Sequence, residues 1–230
     1  MSSTTPNYSV GNDRFDAEAA TWDSKPEVVE SSRLCLRTLL HHSPKYVPSL
    51  GSASVLEIGC GTGLLTVPLA EHVGSVLALD TAKGMIGMLN AKVATQGLGE
   101  KVTAKVKLLE NAEDDVLERK KFDLVVSHLV FHHVPDMRQL VAVMLDTLKQ
   151  GGRVWISDFE DDGPQAEAFH PKDKHAGVER HGLKAQEMEG IMIQAGFKDV
   201  EVFESFRMDK EVESGGTQAF PFLAITGVRP

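Results

Sequence analysis

Hydrophobic and polar residues alternate along this chain in a way that predicts strands and helices in turn. Short apolar runs bounded by glycine or polar residues are typical of buried strands. They cover residues 54–58, 75–80, 102–108, 122–127 and 153–158. Apolar residues at helical spacing cover residues 64–72, 82–95, 137–149 and 183–195. Strand–helix alternation of this kind predicts a mostly parallel sheet with helices on both faces.

Two further strands, over residues 198–206 and 220–228, follow the last of these helices with no helix between them. Parallel neighbours need a long crossover, whereas antiparallel neighbours can be joined directly. One of the two strands is therefore expected to be antiparallel. The pattern predicts an α/β protein with a doubly wound, seven-stranded sheet that is mostly parallel and has one antiparallel strand.

Two helices are expected before the first strand. Phe15, Ala19 and Trp22 fall on one helical face. A capping-box pattern then begins a second helix over residues 25–41, and Pro44 is expected to end it.

The predicted organisation follows from these elements. Residues 1–12 are rich in Ser, Thr and Asn and are expected to be a flexible terminus. Residues 13–50 are expected to form a helical cap, and residues 51–230 the α/β domain. Within that domain, residues 159–183 are expected to form a loop or cap on the substrate side.

The sharpest local signal is a glycine turn between the first strand and its helix, with the sequence EIGCGTG from Glu57 to Gly63. Gly59, Gly61 and Gly63 let the backbone approach a ligand closely, and the helix start offers free N–H groups. A dinucleotide-binding turn would have its third glycine one position later, where Leu64 stands. The spacing therefore favours a small polar group, such as the ammonium and carboxylate of an amino acid, over a pyrophosphate.

The second strand ends in Asp80. An acid at this place can accept hydrogen bonds from both hydroxyls of a ribose, although a surface acid or a helix cap is the alternative for Asp80 alone. The glycine turn and the acid together, in strand–turn–helix–strand order, predict a nucleoside-type cofactor.

The composition of the chain narrows the classes of partner that we expect it to bind. The chain has 230 residues, a formal net charge of −9 at pH 7 and two cysteines. The acidic balance disfavours nucleic acid and anionic lipid, and the cysteines form neither a disulfide framework nor a zinc motif. No apolar run has the length of a membrane span, so no membrane insertion is expected. We expect a cytoplasmic protein, with the nucleus open to a chain of this size.

Five segments in fixed order carry a family resemblance: residues 57–63, 80–85, 111–113, 122–135 and 151–158. They resemble the motifs of the class I S-adenosylmethionine-dependent methyltransferases, which have a Rossmann-like, seven-stranded fold. Within that family they are similar to the small-molecule branch that includes the quinone-biosynthesis C-methyltransferases. The resemblance spans most of the chain, and five ordered motifs are far more specific than any one of them.

The resemblance implies S-adenosyl-L-methionine as the cofactor and S-adenosyl-L-homocysteine as the product. Glu57 would lie near the amino group of the cofactor, and Asp80 would bind its ribose. Asn111 stands where the family usually has Asp, and its oxygen can still accept from the adenine amino group, without charge assistance. The full set of implied cofactor-binding residues is Glu57, Gly59, Gly61, Gly63, Asp80, Thr81, Met85, Asn111, Ala112 and Ser127.

His128, His132 and His133 are the candidate catalytic residues, because they follow the fourth strand at the mouth of the expected cleft. Methyl transfer from a sulfonium mainly requires alignment and exclusion of water, and a base matters only if the acceptor must lose a proton. Alternatives stay open for each residue. His133 could instead hold the following turn, His132 could do either, and His128 could point away from the cofactor.

The segment over residues 159–182 concentrates side chains that can bind a ligand. Its histidines are five and six residues apart, which fits no tight metal motif, so no metal site is predicted. A substrate-side loop and a plain solvated loop both remain open. Asp158 and Glu160 could act as bases, although surface acids are the more frequent outcome. The polar residues of this segment are Asp161, Asp162, His170, His175 and His181.

These observations favour a methyltransferase, of the class EC 2.1.1, that acts on a small organic acceptor, with natural products among the candidates. The alternative from another class is a catalytically idle S-adenosylmethionine-binding partner or regulatory subunit, because a fold can persist without its acceptor site. Net charge disfavours a nucleic-acid methyltransferase, and Leu64 disfavours an NAD-linked oxidoreductase. Association with a protein partner is left open.

Overall fold

A computed structural model of the chain describes residues 9–230. Its sheet has seven strands: β1 (Ser54–Ile58), β2 (Ser75–Asp80), β3 (Val102–Val106), β4 (Phe122–His128), β5 (Leu148–Phe159), β6 (Lys198–Glu211) and β7 (Thr217–Val228). The strand order is β3-β2-β1-β4-β5-β7-β6. β7 runs antiparallel to both of its neighbours, β5 and β6, whereas β1 to β5 pair in parallel. The predicted seven-stranded sheet with one antiparallel strand is confirmed.

Helices lie before the sheet and on both of its faces. They are α1 (Ser9–Glu18), α2 (Pro26–Tyr46), α3 (Thr66–Leu69), α4 (Lys83–Thr95), α5 (Met137–Thr147) and α6 (Ala185–Ala195). Within residues 9–230, no helix has both the length and the apolar character that a membrane span requires.

The two faces of the sheet bury separate apolar layers, because successive strand residues point to opposite sides. Val55 of β1 belongs to the layer shared with α2 and α4, and the next residue, Leu56, belongs to the layer shared with α5 and α6. Both side chains are fully buried. This is the helix–sheet–helix arrangement that the alternating sequence pattern predicts.

The chain reverses its winding direction at β1. This strand pairs with β2 on one side and with β4 on the other, so the connections that leave the two strands diverge to opposite faces. In open α/β sheets a crevice forms at such a point, beyond the carboxyl ends of the strands. The site described below lies there.

Helix α2 continues to Tyr46, so the prediction that Pro44 ends it is wrong. A proline has no N–H, which leaves the carbonyl four residues earlier, that of Leu40, without its helical donor. The hydroxyl of Ser43 donates to this carbonyl at 2.9 Å. A local side-chain hydrogen bond therefore carries the helix past the proline.

The N-terminal helical segment is divided into two parts. α1 ends at Glu18, and a 3₁₀ helix follows over Ala19–Ser24. Ser24 donates to the carbonyl of Thr21, and Lys25, with no side-chain cap, precedes α2, so the predicted capping box does not form. Residues 1–8 of the predicted flexible terminus lie outside the described residues, and α1 begins at Ser9.

The helix predicted over residues 64–72 is reduced to the four residues of α3, flanked by turns. Pro68 lies within it and cannot donate to the carbonyl of Leu64. The chain after the glycine turn is held instead by separate backbone hydrogen bonds. For example, the N–H of Val67 donates to the carbonyl of Gly63 and the N–H of Leu69 donates to the carbonyl of Leu65, both at 3.0 Å.

Candidate functional site

A cavity of about 280 Å³ opens at the carboxyl ends of β1, β2 and β4. It is lined by the glycine turn, by the loop after β2, by the turn after β4 and by the N-terminal helices. Six of the residues predicted to bind the cofactor line it: Glu57, Gly59, Gly61, Asp80, Thr81 and Met85. Two of the candidate catalytic histidines, His128 and His133, line it as well. The fold therefore gathers the two predicted groups around one space.

Glycine is required at the three positions of the turn for different structural reasons. All three have positive φ, at 75°, 53° and 84° for Gly59, Gly61 and Gly63. A Cβ on Gly59 would lie 2.2 Å from Cγ2 of Val130, and one on Gly63 would lie 2.3 Å from Cδ1 of Leu89, whereas one on Gly61 would meet nothing within 4 Å. Gly59 and Gly63 thus permit close packing, and Gly61 leaves the turn open toward the cavity that it lines.

Asp80 ties the two cofactor-side loops together. One carboxylate oxygen accepts from the N–H of Gly61 and the other from the N–H of Ala82, both at 2.8 Å. Burial raises the pKa of this carboxyl, although the backbone N–H groups act against the shift. An ionised carboxylate has about four acceptor positions, so two remain for a ligand in the cavity.

Glu57 is a buried acid that lines the cavity, with 2% of its surface exposed. Its Oε2 atom has no hydrogen-bond partner among the described residues. Burial raises the pKa of Glu57 to about 8, and the neighbouring Asp80 adds to the shift. A buried carboxylate in this setting is stabilised by a cationic donor, such as an ammonium group that enters the cavity.

The predicted adenine contacts do not reach the cavity. Asn111 is exposed, and its side-chain oxygen accepts from the N–H of Glu113 at 3.0 Å. Asn111 and Ala112 are not among the lining residues, which on this side include Leu109 and Glu110. The assignment of Asn111 and Ala112 stays a prediction.

Ser127 is also away from the cavity surface. It is fully buried, and its hydroxyl donates to the carbonyl of Ile58 at 3.0 Å. This bond joins the ends of β1 and β4, which are the strands that carry the glycine turn and the histidines. Ser127 therefore contacts the strands that support the site and not the cavity itself.

The N-terminal helices form one wall of the cavity through Phe15 and Trp22, whose rings meet edge to face at 5.6 Å. Both residues belong to the predicted helical cap, but neither is among the predicted cofactor-binding or catalytic residues. Ala19 packs with them against α4, so the predicted apolar face turns toward the α/β domain.

Polar contacts hold these helices over the cofactor side. Asp23 pairs with Lys92 at 2.5 Å and accepts from the hydroxyl of Thr62 at 2.5 Å. Asp16 accepts from the N–H of Gly84 at 2.6 Å. The acids of this segment were not singled out from the sequence, because their partners lie about 40 to 70 positions away along the chain.

The three candidate catalytic histidines have different surroundings. His128 is buried, lines the cavity, and has no partner for either ring nitrogen within the described part of the chain. Burial lowers its pKa to about 4. His133 also lines the cavity, and its Nδ1–H donates to the carbonyl of Gly177 at 2.7 Å. Burial, followed by the neighbouring His132, lowers the pKa of His133 to about 3.

His132 lies behind the cavity wall and does not line it. Its Nδ1 is 2.8 Å and 3.0 Å from the two carboxylate oxygens of Asp158, and its backbone N–H donates to the same side chain at 3.1 Å. Burial alone would raise the pKa of Asp158, but His132 holds it below its usual value. Asp158 is fully buried, so its interpretation as a surface acid is wrong.

The segment over residues 159–182 packs back against the turn that follows β4. The guanidinium of Arg180 donates to the carbonyls of Phe131 and Val134, the latter at 2.7 Å. The N–H of Glu179 donates to the carbonyl of His132 at 2.9 Å. Gly177 and Glu179 line the cavity, so this part of the segment forms its wall rather than a loop away from the site.

The central part of the chain matches a family model. Residues 56–156 match the model described as "Methyltransferase domain". An uncharacterized methyltransferase of Schizosaccharomyces pombe is 26% identical over 155 residues, which cover 65% of this chain and 55% of that protein. The mitochondrial ubiquinone biosynthesis O-methyltransferase of Homo sapiens is 32% identical over 123 residues, which cover 53% of this chain and 32% of that protein.

One solved structure aligns with nearly the whole length of this chain. The magnesium protoporphyrin IX methyltransferase of Synechocystis PCC 6803, with bound SAH, aligns with a TM-score of 0.67 at 18% identity. The alignment covers 96% of this chain and 98% of that one. A likeness at this identity establishes the fold. The chain spans between 32% and 55% of the length of the two curated relatives named above.

Proposed function

We propose that this chain, whose residues 56–156 match a methyltransferase-domain model, is an S-adenosylmethionine-dependent methyltransferase that acts on a small organic acceptor. The single observation that carries the proposal is the cavity at the winding reversal. It combines a buried acid with one carboxylate oxygen unpartnered among the described residues, an open glycine turn and an acid at the end of β2.

The cofactor side supplies a matching group for each polar part of S-adenosylmethionine. The Glu57 carboxylate takes the ammonium group, and the turn around Gly61 lets the methionine part approach the backbone. Asp80 uses its two remaining acceptor positions for the ribose hydroxyls. Met85, which is 2% exposed and lines the cavity, forms an apolar wall for the adenine.

The acceptor side aligns the nucleophile and excludes water. The bound cofactor supplies an activated methyl group on a sulfonium, and an in-line displacement needs orientation more than acid–base chemistry. Phe15, whose ring lies 5.4 Å from that of His133, gives this part of the cavity an aromatic wall. Among the candidate histidines, His128 lines the cavity, and neither of its ring nitrogens has a hydrogen-bond partner in residues 9–230. A neutral imidazole there can hydrogen-bond to the acceptor and take its proton when the acceptor must lose one.

Several observations support a small acceptor. The net charge of −9 disfavours a polyanionic substrate. The cavity is bounded by the N-terminal helices on one side and by Gly177 and Glu179 on another. The relatives include a ubiquinone biosynthesis O-methyltransferase. We keep the prediction that residues 13–50 form a cap, and the contacts of Asp16 and Asp23 support it by holding these helices against the α/β domain.

Isothermal titration calorimetry with S-adenosylhomocysteine tests the proposal. We expect one saturable site per chain. Asp80→Asn should weaken binding about 10- to 100-fold, because hydrogen bonds to a charged group contribute about 1.5–3 kcal/mol. Asp146→Asn is the matched control, since Asp146 is exposed on α5 and away from the cavity. Absence of binding to the folded wild-type protein would refute the cofactor assignment.

Turnover separates an enzyme from a catalytically idle module. A panel of phenols, thiols, amines and quinols is incubated with S-adenosylmethionine, and formation of S-adenosylhomocysteine is measured. We expect at least one acceptor class to exceed the acceptor-free rate, and we expect His128→Gln to lower that excess while binding of S-adenosylhomocysteine is retained. Binding without turnover on any class would favour the idle module.

A further inference from the structure

Three histidines meet at the acceptor-side wall of the cavity, where His133 lines the cavity and the other two lie behind it. His132 and His133 lie in the 3₁₀ turn Phe131–His133 that follows β4, and His170 comes from the segment after β5. Their ring centroids are 4.0 Å apart for His132 and His133, 5.0 Å for His132 and His170, and 6.0 Å for His133 and His170. One nitrogen from each ring lies within 4.8 Å of the other two.

The hydrogen bonds of two rings fix which nitrogen is free. His132 uses Nδ1 toward Asp158, and His133 uses Nδ1 toward the carbonyl of Gly177. Carboxylate and carbonyl oxygens only accept, so Nδ1 carries the proton in each ring and the Nε2 lone pair is left over. Metal-binding histidines usually have this outer partner, which orients the ring and raises the basicity of the ligating nitrogen.

The third ring has no such partner. The Nδ1 atom of His170 is buried and without a hydrogen bond among the described residues. Leaving a buried polar nitrogen without a partner is unfavourable, and one cation placed between the three rings would satisfy all of them.

We propose that His132, His133 and His170 bind one divalent cation of the zinc class and leave its fourth coordination position open. Three imidazoles and one open position are a set that Zn²⁺ accepts in tetrahedral geometry. Asp158 supplies negative charge next to this set through His132. The sequence spacing did not show the site, because two ligands are adjacent in one turn and the third is 37 positions further on.

A second cluster in the same segment is the rival location. It contains Glu167, His175 and His181, but Glu167 is exposed and the two histidines are only partly buried. His175 already uses Nε2 toward the carbonyl of His170 at 3.1 Å. The three-histidine site has the deeper burial and the outer hydrogen bonds, so the cation is assigned there.

The cation would join two parts of the fold next to the cavity. His132 and His133 belong to the turn after β4, and His170 belongs to the segment that supplies Gly177 and Glu179 to the cavity wall. A bound ion would therefore fix this wall. Its binding is independent of methyl transfer, so it can be measured whether or not the proposed function holds.

Zinc binding to the full chain, prepared without a histidine tag and stripped with a chelator, tests the site. Competition with a chromophoric chelator should give one Zn²⁺ per chain with a Kd on the order of 1 µM or tighter. His170→Asn should weaken binding at least about 100-fold, and Asp158→Asn about 10- to 100-fold, as expected for an outer partner. His181→Asn is the matched control and should keep wild-type affinity.

Two further measurements decide the outcome if a variant folds poorly. Binding of S-adenosylhomocysteine and the far-UV circular dichroism spectrum report whether His170→Asn is folded. The zinc K-edge absorption spectrum of the wild-type protein should show three imidazole nitrogens at about 2.0–2.1 Å. Absence of stoichiometric zinc, an oxygen-dominated shell, or loss of zinc in His181→Asn with retention in His170→Asn would each overturn the proposal.

Discussion

The cofactor side and the acceptor side of the cavity are built by different means. The cofactor side consists of a backbone turn and two acids that lie at the ends of neighbouring strands, within 24 positions from Glu57 to Asp80. The acceptor side consists of side chains from distant segments, such as His132 with Asp158 and His133 with the carbonyl of Gly177. Local chain geometry thus determines the first, and tertiary packing determines the second.

Because the two sides are built differently, substitutions on the cofactor side and on the acceptor side should affect different properties of the protein. A substitution in the glycine turn alters the backbone geometry there and lowers the stability of the fold at the carboxyl ends of the strands. A change in the histidine region alters a packed side-chain cluster, and the cofactor side should remain intact.

The largest effect is expected for Gly59→Ala. A positive φ is unfavourable for alanine by about 1–2 kcal/mol, and the new Cβ would lie 2.2 Å from Val130, so overpacking adds about 1–3 kcal/mol. Denaturant unfolding should show a loss of about 2–5 kcal/mol. Gly87→Ala is the matched control, because a Cβ there meets nothing within 4 Å and lies inside α4, where it should stabilise slightly. Equal stability of the two variants would contradict the packing role of Gly59.

The next largest effect is expected for Asp158→Asn. The amide cannot accept from both the ring and the backbone N–H of His132 as the carboxylate does, and hydrogen bonds to a charged group contribute about 1.5–3 kcal/mol. We expect a loss of stability in that range, measured in the presence of a chelator. Affinity for S-adenosylhomocysteine should stay within about twofold of wild type. A parallel loss of affinity would show that the two sides are coupled.

Glu57→Gln should weaken S-adenosylhomocysteine binding about tenfold, because the charge that faces the ligand ammonium is removed. It should also change the pH dependence of stability. Glu57 has a pKa of about 8 in the folded protein and about 4.3 in an unfolded chain. The folded state binds the proton more tightly, so this stabilisation is present at low pH and is lost as pH rises from about 4.5 to 8.

Denaturant unfolding between pH 5 and 9 measures this effect. Relative to wild type, the Gln variant should become more stable as pH rises. Calorimetry of the wild type at pH 7 in buffers of different ionisation enthalpy should show proton release on binding. A pH-independent difference between the two proteins would mean that Glu57 is ionised in the free protein.

The smallest effect is expected for Asp23→Asn, which breaks the contact between the N-terminal helices and Lys92. The two side chains are 33% and 23% exposed, and partly exposed pairs contribute about 0.2–1 kcal/mol. Dissociation of S-adenosylhomocysteine, followed by stopped flow, should be faster by at most about fivefold. Asp13→Asn, at an exposed position of α1, is the control. A larger effect would indicate that the helices control ligand release more strongly than one ion pair allows.

The sequence predicts the sheet well where strands are buried. β1 and β2 have the bounds that the apolar runs indicate, since a strand covered on both faces is apolar throughout. β5 is an exception and begins at Leu148 rather than Arg153. Phe122 pairs with Leu148 and Leu124 pairs with Arg153, so irregular residues lie within the strand. A bulge of this kind has no apolar pattern by which the sequence could show it.

The candidate site divides in the same way. Glu57 and Asp80 could be predicted because their roles depend on position within a local strand–turn–helix unit. The pairing of His132 with Asp158 could not, because the two residues are 26 positions apart and meet only when β4 and β5 align. Asn111, transferred from a motif alone, lies on the surface away from the cavity.

A crystal structure of the chain with bound S-adenosylhomocysteine would show directly whether Glu57 and Asp80 hold the cofactor. We predict that the amino group of the ligand lies within hydrogen-bond distance of Glu57 and that its ribose hydroxyls contact Asp80. The sulfur should face the part of the cavity lined by His128. A ligand bound outside this cavity, or in it with the ribose away from Asp80, would contradict the account.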